Sequence, residues 1–259
     1  MAIVDEKTVK EAKEYVKSRL SAEQSMSGNL EAALEKAVRL IVAISIEYGV
    51  PPSRFKFSYN AKMKREIEAV IDELKETIED YIFTLAVAGD GDDDEILAYI
   101  KGEIYGDTLD NRLDGYLDRF KDENETAIAA GLLLGESEDD IVDSIISSKD
   151  SPYQNPMILK TGSEVTGRLG TRTSFGRGQR KGSWGAIDTL STSTIAIGWM
   201  YGFYTAKLKA NAIGFLVYRG SSYPCDICDS NTGFHSSTLD LPPYHPHCVC
   251  YAVPVYAGI

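Results

Sequence analysis

The cysteines and histidines of this chain share one short segment, PCDICDSNTGFHSSTLDLPPYHPHCVC, which runs from Pro224 to Cys250. The residues are Cys225, Cys228, Cys248 and Cys250, with His235, His245 and His247. Thiolates and imidazoles are ligands for soft or borderline metal ions, and a thiolate is also a nucleophile and a redox group. The segment therefore points to three kinds of chemistry, which are metal binding, thiol redox chemistry and nucleophilic catalysis.

The spacing of these residues matches the two halves of a tetrahedral zinc site. In the first half, Cys225 and Cys228 are separated by two residues, the spacing with which one tight turn presents two thiolates to an ion. In the second half, His245 and Cys248 have the same spacing, and strand-like apolar segments flank the two halves. We therefore expect a structural zinc ion with four protein ligands, which are Cys225, Cys228, His245 and Cys248.

The remaining cysteine and histidines have less definite places in this pattern. Cys250 or His247 can replace one of the four expected ligands. Because Cys248 and Cys250 lie two residues apart and share one face of a strand, one of the two can instead be a core residue. His235 has no partner at ligand spacing, and we assign it to a surface turn.

Catalytic uses of the segment depend on residues that each reaction requires. Pro224-Cys225-x-x-Cys228 matches half of the zinc-deaminase signature, but no histidine is followed by x-Glu and no glutamate follows Glu164. The missing carboxylate excludes deamination and argues against ADP-ribosyl transfer. A metal-dependent or Cys/His-dependent hydrolase or nuclease-like enzyme stays open as the alternative to a structural site. A redox-sensitive thiol pair and a metal-free core stay open as well.

Charge is unevenly distributed along the chain, whose formal net charge is −12. Acidic residues dominate up to about residue 159, whereas basic residues dominate from 160 to 219. A local positive segment can contact phosphate groups even in an acidic protein. The expected nucleic-acid-binding residues are Arg168, Arg172, Arg177, Arg180 and Lys181. The alternative is that these residues solubilise a glycine-rich loop and pair with the acidic half of the chain.

Helical periodicity dominates the residues before the basic segment. KTVKEAKEYVKSRL, NLEAALEKAVRLIVAISIEYG and AKMKREIEAVIDELKETIEDYIFTLAVAG each place apolar residues three and four apart, which predicts amphipathic helices. The acidic run AGDGDDDEI lacks the ligand spacing of a calcium loop and is expected to be a turn that caps the next helix. Two more helices are predicted up to about residue 150, the second beginning with the capping pattern at Ser137.

The pattern changes after residue 150. Glycine, serine and threonine dominate to about residue 185, and a last apolar helix follows from about 186 to 212. GFLVYRG and CVCYAVPVY then have the composition of strands, and the cysteine and histidine segment lies between them. The predicted fold is α+β, with a mainly helical N-terminal region followed by a long helix packed on a small antiparallel sheet with a zinc-knuckle-like Cys/His cluster. The expected regions are 1–150, 151–185 and 186–259.

No segment of the chain has the pattern expected of a membrane or export signal. The first residues, MAIVDEKTVKEAKEYVKSRL, are charged throughout and have no apolar central block. The longest apolar run, AIGWMYGFYTA, is too short to cross a bilayer. We therefore expect no membrane partner, and in a reducing cytosol we expect the clustered cysteines to bind metal rather than form disulfides.

Around the cysteines the order of motifs becomes specific. A helix and a strand are followed by Cys225-x-x-Cys228, Gly233, Pro242-Pro243, His245-Pro246-x-Cys248-x-Cys250 and Pro254-Val255. In this order the chain resembles the C-terminal domain of phage head-morphogenesis proteins, the Mu F-like minor capsid family, over residues 185–256 and more loosely back to about 110. It departs from that family's pattern where Val249 replaces the usual Arg, His247 the usual Asn, and TLST the usual start of the long helix.

The resemblance implies a structural role in tailed-phage assembly. Such proteins are present in few copies, associate with the portal and the capsid interior, and help procapsid assembly or DNA delivery. The expected partners are portal, capsid and scaffold proteins, with DNA as a candidate, and no small-molecule substrate or enzymatic activity is implied. The expected location is the virion interior or the host cytoplasm. A host-encoded zinc-ribbon module that binds nucleic acid is a third alternative.

Overall fold

The computed structural model describes residues 6–104, 106–161, 182–236 and 240–257, and it confirms the predicted α+β class. The helices of the described residues are α1 Glu6–Glu47, α2 Ala61–Ala86, α3 Asp93–Lys101, α4 Leu109–Leu134, α5 Glu138–Ser147, α6 Pro156–Thr161, α7 Ser183–Lys209 and α8 Asp226–Ser230. Short 3-10 turns lie at Pro52–Arg54, Phe57–Tyr59 and Pro152–Gln154. The strands are β1 Glu103–Ile104, β2 Asp107–Thr108, β3 Ala212–Tyr218, β4 Gly233–His235 and β5 Tyr251–Tyr256.

Helix α1 is longer than its sequence pattern predicts. The two predicted helices before residue 50 form one continuous helix, because the residues between them contain no proline and include the fully buried Met26. Two predicted helix caps are confirmed. The Asp92 side chain accepts from Glu95 N at the start of α3, and the Ser137 side chain accepts from Asp140 N at the start of α5.

The chain divides into two compact units. The sheet unit contains the described residues of Met1–Ser27, Asp80–Leu109 and Ser191–Ile259, and the helical unit contains those of Gly28–Glu79 and Asp110–Leu190. The expected division at residues 150 and 185 stays a prediction. Helix α6 and the start of α7 lie within 151–185, and residues 162–181 lie outside the described part of the chain.

The sheet unit is built on a three-stranded antiparallel sheet with strand order β4-β3-β5. In its register Phe215 faces Pro254 and Leu216 faces both Phe234 and Val253. Pro254 is compatible with this place because β5 is an edge strand and needs no second row of hydrogen bonds. One face of the sheet is buried against α7 in a cluster of Met200, Phe203, Tyr204, Phe215, Val217, Leu241 and Ala252.

On the other face of the sheet, the β5 side is covered by the first turns of α1. Ala12 and Val16 pack against Tyr251 and Val253 of β5, and the Tyr251 ring stacks on that of Tyr218 with a centroid distance of 5.3 Å. Both faces of β5 are therefore buried. This double burial explains why CVCYAVPVY reads as a continuous apolar run rather than as an alternating one.

Two glycines let α7 pack closely on its neighbours in the sheet unit. A Cβ at Gly198 would lie 2.9 Å from the Ala86 Cβ, and a Cβ at Gly202 would collide with the Asp90 carbonyl oxygen. Nearby, the Trp199 indole donates to the Leu85 carbonyl at 2.6 Å. The glycines in AIGWMYGFYTA thus serve helix packing.

The helical unit holds a buried carboxylate at the start of α7. Glu123 of α4 accepts from Ser183 N at 3.1 Å, from Ser183 Oγ at 2.6 Å and from Arg119 Nε at 2.9 Å. Burial raises the pKa of Glu123, and its bonds to Ser183 and Arg119 act in the opposite direction. Glu123 therefore satisfies the first backbone N–H of α7 and the Ser183 hydroxyl from outside the helix. Across the described residues, no helix has both the length and the apolar character that a membrane span requires.

Candidate metal centre

Five side chains of the cysteine and histidine segment converge beside the sheet. Cys225 precedes the five-residue helix α8 and Cys228 lies within it, while His245, Cys248 and Cys250 come from the chain that leads into β5. The thiols of Cys228, Cys248 and Cys250 are buried, and that of Cys225 is half-buried. The structure therefore brings together the two halves that the sequence places at opposite ends of the segment.

The ligand atoms form two overlapping triads. In the first triad, His245 Nε2 lies 3.5 Å from Cys225 Sγ and 3.1 Å from Cys228 Sγ. In the second, Cys228 groups with Cys248 and Cys250, and the Cys228 and Cys248 sulfurs lie 3.9 Å apart. Within each triad the ligand atoms all lie within 4.8 Å of one another. Cys228 belongs to both triads and is the centre of the cluster.

These separations suit a tetrahedral ion. With zinc–sulfur bonds of about 2.3 Å and zinc–nitrogen bonds of about 2.0 Å, tetrahedral angles place two sulfurs about 3.8 Å apart and a sulfur and a nitrogen about 3.5 Å apart. The observed 3.9 Å between Cys228 and Cys248 and 3.5 Å between Cys225 and His245 agree with these values, whereas the 3.1 Å between Cys228 and His245 is shorter than the sulfur–nitrogen value. The groups are thus close enough to bind a metal ion.

The structure also locates the residues with less definite roles. Cys250 joins the second triad and is a candidate ligand, whereas the His247 imidazole faces Glu23, with 3.5 Å between Nδ1 and Oε2. His235 Nε2 lies 3.0 Å from the Asn231 carbonyl oxygen and belongs to neither triad. Among the two predicted substitutes, the geometry therefore favours Cys250 over His247.

Local contacts fix the loops that carry the ligands. The Asp229 N–H donates to the Cys225 carbonyl at 2.9 Å, and Arg219 donates to both Asp229 and the Tyr223 carbonyl. In the second half, the Cys248 N–H donates to the His245 carbonyl at 3.1 Å, which closes a turn over two candidate ligands. The sequence spacing of each half is therefore converted into a hydrogen-bonded turn.

Gly220, just after β3, is a residue whose part in the centre the sequence pattern did not reveal. A Cβ at this position would collide with the Val249 carbonyl oxygen. The close approach of the segments that contain Gly220 and Val249 thus requires glycine. Its only sequence signal is its place at the end of a strand, where glycine usually marks a turn.

The thiols occupy contrasting electrostatic environments. The Cys228 backbone N–H lowers the pKa of the Cys225 thiol, and the Cys228 thiol acts in the same direction. Burial raises the pKa of Cys228, with further contributions from the neighbouring thiols, and burial also raises that of Cys250. A bound cation lowers the pKa values of such thiols, because it stabilises thiolates directly. Packed, buried sulfurs are therefore a suitable site for a positive ion.

Behind the ligands lies a buried ion pair on α1 that sequence reasoning also missed. Arg19 donates to the Cys248 carbonyl, and its Nε lies 3.4 Å from Oε1 of Glu23, which in turn faces His247. Burial raises the pKa of Glu23, while the charges of Arg19 and His247 oppose that shift. In sequence, Arg19 and Glu23 look like an ordinary exposed pair four residues apart on a helix.

The predicted nucleic-acid contact has no structural test. Arg168, Arg172, Arg177, Arg180 and Lys181 all lie outside the described residues, so their role stays a prediction.

Comparisons with known proteins add no family assignment. No protein-family model matches the chain, and neither a curated protein nor a solved structure matches it significantly.

Proposed function

We propose that the chain is a minor head-morphogenesis protein of a tailed phage or prophage, with a carboxyl-terminal domain closed by a structural zinc ion. The observation that supports the proposal is the pair of overlapping triads, Cys225–Cys228–His245 and Cys228–Cys248–Cys250, beside the sheet. These residues are the same Cys/His skeleton on which the resemblance to the Mu F-like family depends. The remaining support comes from that resemblance alone.

The donor set favours zinc. Thiolate ligands select zinc, copper(I) or iron–sulfur clusters, and a mixed set of cysteine and histidine in tetrahedral arrangement is typical of zinc. Four protein ligands complete the coordination sphere and leave no position for a substrate or an activated water. Metal binding to such a site contributes directly to folding, with apparent values of about 10–16 kcal/mol in zinc-finger peptides. The ion would therefore act as a structural staple for a small sheet.

The proposed role is carried out through protein contacts and not through catalysis. The partners would be portal, capsid and scaffold proteins, in the host cytoplasm during assembly and in the virion interior afterwards. The proposed DNA contact is formed by the basic residues Arg168, Arg172, Arg177, Arg180 and Lys181. Binding through phosphates would weaken steeply with salt, because each neutralised phosphate releases counterions.

Genetic complementation tests this role. Deletion of the gene from the phage or prophage that encodes it should leave structural proteins in the lysate but few DNA-filled heads in electron micrographs. The wild-type gene should restore filled heads, whereas a Cys228→Ala gene should not. Normal yields of filled, infectious particles from the deletion would reject the role in head assembly.

One observation favours a second candidate, a Cys/His-dependent hydrolase. Cys225 Sγ lies 3.5 Å from His245 Nε2, and the pKa of the Cys225 thiol is lowered, first by the Cys228 N–H. A lowered thiol pKa beside an imidazole is the arrangement of a cysteine nucleophile. Cys225→Ala separates the two functions. A structural site loses zinc and thermal stability together, whereas an enzyme keeps its melting temperature. In the wild-type enzyme Cys225 should also react with a thiol-directed alkylating agent faster than the other three cysteines do.

A further inference from the structure

Two charged side chains on α1 are buried to an extent that is unusual for a helix ion pair. The Arg19 and Glu23 side chains are 1% and 4% exposed, whereas those of Lys17 and Glu14 on the same helix are 72% and 57% exposed. The free energy needed to remove two charges from water is commonly larger than the free energy of their mutual attraction. Arg19 Nε and Glu23 Oε1 have no hydrogen-bond partner, so the pair does not satisfy itself. The buried pair therefore depends on groups beyond α1.

Those groups belong to the turn that carries the candidate ligands. The Arg19 guanidinium donates to the Cys248 carbonyl, which lies 229 residues away in sequence. Glu23 Oε2 faces the His247 imidazole at 3.5 Å. The pair thus contacts two consecutive residues of the turn, one of which is an expected metal ligand.

The turn needs such support because its backbone is strained. His247 has a φ of 58°, in the left-handed region that residues other than glycine rarely adopt. This residue stands between His245 and Cys248, so its conformation sets the position of one candidate ligand relative to the other. Groups that hold metal ligands in place from behind typically change metal affinity by about 10–100-fold when they are removed.

We infer that Arg19 and Glu23 are positioning residues of the metal centre, and that metal binding in turn orders the first segment of α1, residues 6–27. The inference rests on the proposed zinc site but not on the proposed role in phage assembly. Coupling between two sites is reciprocal, so residues that favour metal binding are themselves stabilised by the bound metal. Without the ligand turn, the two buried charges of α1 lose their contacts with that turn. The segment then keeps the packing of Ala12 and Val16 on β5 and the contacts of Tyr15 with Trp199 and Phe203.

Hydrogen–deuterium exchange on the full wild-type chain tests the coupling. After removal of zinc with a chelator, amides of residues 6–27 should exchange about tenfold faster or more than in the zinc-loaded protein. Peptides from α5 in the helical unit provide the internal reference and should keep their rates. Equal exchange of residues 6–27 with and without zinc would overturn the inference.

A double variant tests the positioning role separately. Arg19→Met with Glu23→Leu removes both charges at similar volume and leaves no buried charge unpaired, and zinc affinity measured by chelator competition should fall about 10–100-fold. Lys17→Met with Glu14→Leu, the exposed pair on the same helix, is the matched control and should bind zinc as the wild type does. Wild-type affinity in the buried-pair variant would overturn the positioning role.

The outcomes separate this inference from the proposed function. If the wild-type chain binds no zinc, the inference and the zinc site fail together. If it binds zinc but residues 6–27 do not respond, only the inference fails. A buried-pair variant that does not fold leaves the decision to the exchange measurement on the wild-type chain. Failure of the complementation experiment would leave the coupling intact.

Discussion

Cys228 is the candidate ligand that the two triads share. Replacement by alanine removes a ligand whichever of the other residues complete the site. We expect Cys228→Ala to lose most of its bound zinc and to melt at a lower temperature than the wild type. Metal analysis after gel filtration and a thermal melt provide the two measurements.

The matched control for Cys228 is His235→Ala, since His235 belongs to the same segment but to neither triad. It should keep its zinc and nearly all its thermal stability. Equal loss of zinc from both variants would mean that the segment does not bind metal through the two triads that share Cys228.

Glu123 allows a prediction about pH in the helical unit. Its pKa is raised in the folded protein by burial, so the folded state holds the proton more tightly than the unfolded chain. The stability that this group contributes is therefore full below its unfolded pKa of about 4.3 and declines as pH rises through the folded pKa. Relative to Glu123→Gln, the wild type should lose stability with rising pH across that interval and then level off. Urea unfolding at a series of pH values measures this difference, and a relative gain with rising pH would contradict it.

Residue types and spacing are sufficient to find the ligands but not the residues that hold them. Cysteine and histidine are rare in this chain and collect in one segment, so their pattern is conspicuous. Arg19 and Gly220 have no such signal, because Arg19 acts on a residue 229 positions away and Gly220 acts through the absence of a Cβ. Long-range backbone approach and helix-to-turn contacts are properties of the folded chain, and local sequence carries little trace of them.

At the scale of elements, α7 depends on glycine to approach its neighbours. A Cβ at Gly202 would collide with the Asp90 carbonyl and lie 2.7 Å from Ile96 Cδ1. We expect Gly202→Ala to lower the free energy of unfolding by about 1–3 kcal/mol, since overpacking forces the backbone to shift. Chemical denaturation of the zinc-loaded protein measures the change.

Gly115 in α4 supplies the opposite case. A Cβ there would meet nothing within 4 Å, so Gly115→Ala gains helix propensity at no steric cost and should stabilise the protein by about 0.5–1 kcal/mol. A stabilising Gly202→Ala would show that the close contact between α7 and Asp90 does not form.

Element types were largely predictable, whereas element lengths were less so. Apolar periodicity predicted the helices, and the change to β-type composition predicted β3 and β5. The continuous α1 was missed because SAEQSMSGN is polar and contains a glycine, and only tertiary burial of residues such as Met26 keeps it helical. The three-residue β4 was missed as well, since so short an edge strand is defined by its pairing with β3 rather than by its own composition.

At the scale of the whole molecule, the sheet unit draws on three separate stretches of chain. The first turns of α1 and the last strand both belong to it, so a division by sequence position alone does not reveal this unit. Composition could indicate an acidic helical part and a Cys/His part, but it could not indicate that α1 covers the face of β5. That contact involves apolar residues of an ordinary amphipathic helix, and their pattern does not indicate which element they pack against.

Elemental analysis of the purified chain tests most directly whether the clustered thiols and imidazole hold one structural metal ion. We expect about one zinc ion per chain, retained through gel filtration, as for a site with four protein ligands. A chain that emerges folded and free of transition metal after expression in zinc-supplemented medium would contradict it.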